Sequence, residues 1–428
     1  MSALDEEINP TVDLLGGPYA YRQRDIVVAS QHAALVTGLL GEAGVTVDEV
    51  KASELLGLTL LQLEDVEAAA AAMVALVGEA EGRPEPDQPL DQVLWALRTL
   101  SGRRYAQWSP TIGKNRLVGQ VQGVGRVNHS GGGDPIRATA PGWSTRATGP
   151  GRGTRVGVLD TGLYPQPWLA GGWAARYSDL TGAVDTALYA DGHATFISGL
   201  ILREAPGATV EVRRVLQSTG VAATNGSADS WSVAEAIVDF GRSGLDVLNL
   251  SFVCYTEDGN PPLVLSTAID RLPPDLLVVA AAGNHGGVAD PEGRPLRAGQ
   301  ATKPGWPAAL DDVVAVGALE PDLATSASFS PDAPWIDVLA PGVDVTSTYL
   351  PRARPDESSP AVEFPDGWAT WSGTSFAAAT VSGVVAASTE PGRVSARSAA
   401  EDLLASLPET AQPALAWSGA KVLKLAQI

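Results

Sequence analysis

Cysteine is almost absent from this chain. Among 428 residues there is one, Cys254, so no intrachain disulfide can form. Beside an apolar stretch, a lone cysteine reads as a small core hydrophobe. Histidine is scarce as well. His32, His129, His193 and His285 are scattered, which leaves a Cys/His zinc site little to be built from. Basic residues are outnumbered, 29 against 49 acidic, and the formal net charge is −20. Such a surface repels DNA, RNA and anionic membranes, so none of these is an expected partner. No apolar run reaches the roughly 18 residues that a membrane span needs. The first residues, Met1 to Glu7, are acidic and carry no apolar core of a secretory signal. The expected location is the cytoplasm, with signal-independent export left open. What remains is a globular composition, 45% hydrophobic and 18% charged, long enough for one large domain and a smaller one.

The first part reads as a small α+β unit. Asp25 to Ser30 is strand-like, and His32 to Ala43 has helical apolar spacing that stops at Gly44. Val45 to Val47 and Leu55 to Leu63 are β-like, and Val66 to Val77 is an alanine-rich helix. The order β-α-β-β-α, closed by a later strand, predicts a ferredoxin-like sandwich. Gly82 to Leu90 is a turn-rich break, followed by a short helix over Asp91 to Leu100. Residues 129–153, with Gly131-Gly132-Gly133 and Gly149-Pro150-Gly151, read as a linker. The expected division is therefore 1–110, a linker over 111–150, and 151–428.

From Thr154 the pattern changes. Arg155 to Leu159, Val210 to Leu216, Asp246 to Ser251, Leu276 to Ala282 and Val313 to Ala318 are apolar strands, with helices over Ser232 to Phe240 and Leu263 to Leu272. Apolar strands alternating with helices predict an α/β fold with a parallel sheet covered on both faces. In such sheets the working residues lie at the carboxyl ends of the strands.

Four short motifs fall at those places. Gly373-Thr374-Ser375 feeds a run of small apolar residues, Ala377 to Ala387. A serine there sits at a helix N-terminus, where free N–H groups favour a developing negative charge. Equally, Thr374 or Ser375 could merely cap the helix. Asp160 follows a strand, as a carboxylate for a site or as a turn former before Thr161-Gly162. An aspartic protease would need a second, paired Asp-Thr-Gly or Asp-Ser-Gly, which the chain lacks. His193, in Asp191-Gly192-His193-Ala194-Thr195-Phe196, would stand on the first turn of a tightly packing helix. Asn284, in Ala281-Ala282-Gly283-Asn284-His285-Gly286, is either an oxyanion donor or a Gly-Asn turn. His285 has no nameable partner and reads as structural. Together, serine, histidine and aspartate can supply nucleophile, base and orienting acid for acyl transfer.

In that order the motifs resemble the subtilisin family of serine proteases, over about residues 150–390. Leu248-Asn249-Leu250-Ser251 is similar to the family's substrate-binding strand, and Trp306-Pro307-Ala308 to its Tyr-Pro-Ala turn. Phe329-Ser330 and Val338-Leu339-Ala340-Pro341-Gly342 are similar to the approach to the nucleophile. There are departures. Phe196 stands where the family has a second histidine, Ala379 where it has proline, and Ser251-Phe252-Val253 where Ser-Leu-Gly is common. Tyr349 to Ala369 is an extra excursion that could be a lid, a specificity loop or decoration.

The resemblance implies a serine endopeptidase with Ser375 as nucleophile, His193 as base and then acid, and Asp160 as its orienter. Asn284 and the Ser375 N–H would form the oxyanion hole. Ser251, Phe252 and Val253 on one side, and Ala281, Ala282 and Gly283 on the other, would flank an extended protein or peptide substrate. Val253 in place of glycine would narrow the pocket for the residue before the scissile bond. The chemistry needs no cofactor. Calcium stabilises many members of the family, but no ligand set can be named here. The N-terminal domain would be a propeptide-like intramolecular inhibitor or a retained partner-binding domain. Two rival readings share the fold, a pseudoprotease used as a binding module and an esterase-like acyl hydrolase.

Overall fold

Burial on both faces explains the main sheet. In this computed structural model, which describes residues 8–9, 21–78, 86–120, 133–143, 149–217, 227–286, 302–409 and 420–424, seven strands run parallel. Their order is Lys421–Val422, Val338–Pro341, Val313–Leu319, Leu277–Ala281, Val247–Leu250, Arg155–Asp160 and Thr209–Arg214. Successive side chains point to opposite faces. Val156, Val158, Leu277, Val279 and Ala281 enter one apolar cluster with the helices His193–Glu204 and Thr374–Ser388. Leu159, Leu248, Leu250, Val278 and Ala280 enter another with Ser230–Gly241 and Leu263–Asp270. Each fully buried Val, Leu or Ile contributes about 1.5–3 kcal/mol. Hence an uninterrupted apolar strand is stable only with helices on both sides.

The N-terminal unit follows the expected order, and the short helix expected over Asp91 to Leu100 runs longer, over Pro89–Arg104. Tyr21–Ala29, Ala33–Glu42, Val47–Ser53, Leu58–Leu63, Val66–Val77 and Pro89–Arg104 are followed by a closing strand, Ile112–Gln120. All its sheet pairs are antiparallel, in the order Ile112–Gln120, Tyr21–Ala29, Leu58–Leu63, Val47–Ser53. One sheet face and the helices enclose Ile26, Val28, Leu61, Met73, Leu94 and Leu97. From the other face, Val27, Leu58 and Leu60 join the cluster that holds Ile237 and Val264 of the main-sheet helices Ser230–Gly241 and Leu263–Asp270.

The division at residue 110 is corrected here. Ile112–Gln120 belongs to the N-terminal sheet and not to a linker. Its centre, Lys114-Asn115-Arg116, is polar, and each side chain is paired. Lys114 bonds Asp91 at 2.8 Å and Glu257 at 3.2 Å, and Arg116 bonds Glu257 at 2.7 Å. Asn115 donates to Asp25 at 2.9 Å and Asp229 at 3.3 Å, and accepts from Ser230 and the Trp231 N–H. Burial lifts the Asp25 carboxyl above the usual carboxylate range, against the bonds from Asn115 and Gln62.

The same strand is also shared. Its far end pairs with Ser227–Asp229 on one side and Phe252–Val253 on the other, so the seam between the two units is itself a sheet. Within the expected linker, Ile136–Arg137 adds a third strand to the hairpin of Val345–Thr348 and Trp368–Trp371. Trp143 follows, stacked edge-on to Trp168 and Trp368 at 4.9 and 5.1 Å, with Arg203 over its ring. Of the turn-rich break over Gly82 to Leu90, residues 82–85 lie outside the described residues, and Pro89 and Leu90 already open the helix Pro89–Arg104.

Candidate active site

Asp160 ends its strand fully buried. Its Oδ1 accepts the Thr161 N–H at 2.8 Å and the Thr161 hydroxyl at 3.2 Å. Both carboxylate oxygens lie 2.8–2.9 Å from His193 Nδ1. A carboxylate only accepts, so Nδ1 carries the proton and Nε2 presents its lone pair. Thr161 also receives the Ala194 N–H, tying the start of the histidine helix to the aspartate turn.

Aromatic rings wall the imidazole. Trp371 meets it edge-on at 5.7 Å and Phe376 at 5.5 Å, and Phe196 packs on Phe376 at 4.5 Å. The departure at Phe196 therefore fills this wall. The excursion Tyr349 to Ala369 is neither a free lid nor loose decoration. Phe364 packs on Tyr349 at 4.7 Å, and the Tyr349 hydroxyl donates to the Tyr189 carbonyl at 2.7 Å. Arg354 and Tyr189 exchange a further main-chain bond, so the excursion buttresses the turn that leads to His193.

Ser375 is the second residue of the helix Thr374–Ser388. A polar ladder seats that helix on the sheet. Ser382 Oγ accepts from Asn249, whose carbonyl oxygen accepts the Ser251 hydroxyl, which also reaches the Ser375 carbonyl. The Ser375 hydroxyl donates to the Ser251 carbonyl at 3.3 Å. Across from it, Asn284 Oδ1 accepts both the N–H and the hydroxyl of Thr374, at 3.0 and 3.1 Å. A backbone N–H must meet oxygen, so the amide orientation is fixed, and the NH2 group is its donor end. The Thr374 oxygen in turn accepts the Gly283 N–H. Asp160 and Asn284 thus follow the carboxyl ends of strands in one sheet, with His193 bonded to Asp160 and Phe376, next to Ser375, packed on the His193 ring.

Phe252 and Val253 do edge an extended segment, and its other edge is Ser227–Asp229, which the motifs did not signal. Ala281–Gly283 do not form that second edge. Ala281 pairs with Val316, and the Ala282 N–H is spent on the Val316 carbonyl. Gly283 is bonded to Thr374 instead. The extended segment is the chain's own Leu117–Gln120. Val118 is wholly buried in the cluster of Leu216, Trp231 and Phe252. Gln120 donates to the carbonyl of Ala190, three residues before His193.

Below this segment the cleft is tight. A Val253 methyl lies 3.1 Å from where a Cβ on Gly305 would stand. The Tyr255 hydroxyl bonds His285 Nδ1 at 2.9 Å, and His285 Nε2 bonds the Lys303 carbonyl at 2.9 Å. The partners that the sequence did not reveal are thus distant in the chain. Burial pushes the His285 imidazole down to about 4 and the Cys254 thiol up to about 12, which keeps both neutral. Among the described residues no group of three or more His, Cys, Asp or Glu side chains is placed to hold a metal ion. The calcium that the resemblance admits finds no such carboxylate ligand set among the described residues. No described helix is long and apolar enough to cross a membrane.

Fold and geometry together define a parallel α/β protein in which an Asp160–His193 pair stands beside the start of the Ser375 helix. The comparisons carry this further. The family described as "Subtilase family" matches residues 151–415, and the chain belongs to it. It is 30% identical over 247 residues to "Thermophilic serine proteinase" of Bacillus sp. (strain AK1), covering 56% of this chain and 53% of that one. It is 30% identical over 215 residues to Subtilisin DY of Bacillus licheniformis, covering 46% and 66%. The chain thus spans between about half and just under two thirds of these relatives. Fervidolysin from Fervidobacterium pennivorans, described as a keratinolytic enzyme related to subtilisin, has the same fold with a TM-score of 0.59. That likeness covers 94% of this chain and 60% of that one at 16% identity.

Proposed function

We propose that this chain is a serine endopeptidase that is held shut by its own N-terminal unit. The observation that carries the reading is the Asp160–His193 bond beside Ser375 and Asn284, with Leu117–Gln120 lying in the adjacent cleft as a peptide strand. A substrate strand would replace Leu117–Gln120 and bring its carbonyl to Ser375. In the reaction the Ser375 hydroxyl would leave the Ser251 carbonyl and turn to His193 Nε2. The hydroxyl then attacks, the proton passes to Nε2, and the imidazolium is stabilised by Asp160. The carbonyl oxygen, now negative, is met by the Asn284 NH2 and the Ser375 N–H. The imidazolium protonates the leaving amine, and water reverses the sequence on the acyl-enzyme.

Intact mass before and after a fluorophosphonate tests this. One adduct on the wild type and none on Ser375→Ala is the expected result. A wild type that takes up no adduct overturns it. Loss of the residues up to a point between Gln120 and Gly133, in the wild type only, would mark self-processing.

The Val253 methyl narrows the wall that faces the residue before the scissile bond. Val253→Gly is expected to raise kcat/KM at least about tenfold for peptides with Phe or Leu there, since a few methylenes of pocket space count for that much. Peptides with Ala there should change by no more than about threefold. An equal change for both would refute the assignment.

A further inference from the structure

The loop that carries Asn284 is tied down from several directions. The Ala282 N–H bonds Val316, the Gly283 N–H bonds Thr374, and the Gly286 N–H bonds Phe329. Among the described residues, the His285 side chain joins this loop to the peptide-binding edge. It is 1% exposed and is bonded at both ring nitrogens. The Lys303 carbonyl can only accept, so Nε2 carries the proton and Nδ1 takes the Tyr255 hydroxyl. Tyr255 stands two residues beyond the edge strand Phe252–Val253. Gly283 fits between them. Its φ is +103°, and a Cβ there would lie 2.6 Å from the Tyr255 oxygen and 2.8 Å from His285 Nδ1. The residue before Asn284 is thus pressed on the Tyr255–His285 pair, and the residue after it is part of that pair.

We infer that Tyr255 and His285 are positioning residues for the oxyanion donor Asn284, coupling the loop that bears it to the strand that holds the acyl side of a substrate. Neither side chain touches the reacting atoms. They act by holding the backbone of residues 283–285, so that the Asn284 amide keeps its place opposite Thr374. The imidazole serves as a neutral brace, and burial is what keeps it so. This inference rests on the proposed serine chemistry.

The test is the rate at which a fluorophosphonate labels Ser375 in the full-length chain. In that reaction the Ser375 Oγ–P bond forms, the P–F bond breaks, fluoride leaves and His193 takes the hydroxyl proton. The phosphoryl oxygen gathers charge in the oxyanion site, and the small probe needs no peptide subsites. Asn284→Ala should slow labelling by about 10²- to 10³-fold. Tyr255→Phe deletes one oxygen and leaves Nδ1 without its donor, and should slow it by about tenfold. His285→Gln should act likewise. The deciding measurement is the combination. Either variant placed on Asn284→Ala should cost no more than about twofold beyond Asn284→Ala alone, because the group it positions is gone. Unchanged rates in the single variants, or the same tenfold loss with Asn284 absent, would overturn the inference and leave the serine chemistry standing. A wild type that is not labelled would overturn both. Tyr255→Phe keeps the test usable if His285→Gln fails to fold.

Discussion

Asp160→Asn is expected to lower the catalytic rate by roughly 10⁴-fold while leaving the fold intact, as loss of the orienting carboxylate does in this class of chemistry. The local bonds say why an isosteric change should be so costly. Oδ1 accepts the Thr161 N–H, so the asparagine oxygen must stay at that position. The NH2 group is then forced into the Oδ2 position, which lies 2.8 Å from His193 Nδ1. Two donors cannot face each other, and the oxygen at the Oδ1 position, 2.9 Å from Nδ1, already accepts both Thr161 donors, so the balance moves the proton from Nδ1 to Nε2. The nitrogen that should receive the Ser375 proton is then already protonated. Rates of peptide hydrolysis for the two chains, with circular dichroism as the control, check this. A fall of less than about tenfold in a folded variant would mean that His193 is not oriented by Asp160.

Val118→Asp is expected to act in the opposite direction. Val118 has no exposed surface and packs with Trp231, Leu216 and Phe252. A carboxylate there enters an apolar cluster, and burying one without full compensation costs several kcal/mol. The cheapest relief is to lift Leu117–Gln120 out from between Ser227–Asp229 and Phe252–Val253. Initial hydrolysis of an added extended peptide by the uncut chain should then rise by about 100-fold or more. The ion pairs of Lys114 and Arg116 with Glu257 hold the neighbouring residues and set an upper limit on the gain. If a folded, uncut Val118→Asp chain is no faster than the wild type, the strand is not what closes the cleft.

Much of this site was legible because its parts sit beside elements that announce themselves. Asp160, His193, Asn284 and Ser375 each border an apolar strand or a small-residue helix, and chain order supplied the rest. Ile112–Gln120 was hidden for the opposite reason. A strand with Lys114, Asn115 and Arg116 at its centre reads as a loop until Asp91, Glu257, Asp25 and Asp229 are brought to it, and these lie up to 143 residues away. Ser227–Asp229 is only three residues long, too short for any periodicity to show. His285 looked unpartnered because Tyr255 and Lys303 reach it from opposite sides of the loop. Trp371 gave no signal as part of the histidine wall, since nothing local distinguishes it from a surface tryptophan.

The two strands that flank the site from within the chain have a consequence for how it would open. Leu117–Gln120 is zipped to the acyl-side edges, whereas Ile136–Arg137 is zipped to Trp368–Trp371 and anchored by Trp143. A backbone broken between Gln120 and Gly133 would leave both new ends fastened, each to a different sheet. Scission and unblocking are then separate events. The nicked protein would still be closed, and the onset of activity would be timed by the unzipping of one strand, with the bond cleavage itself long past.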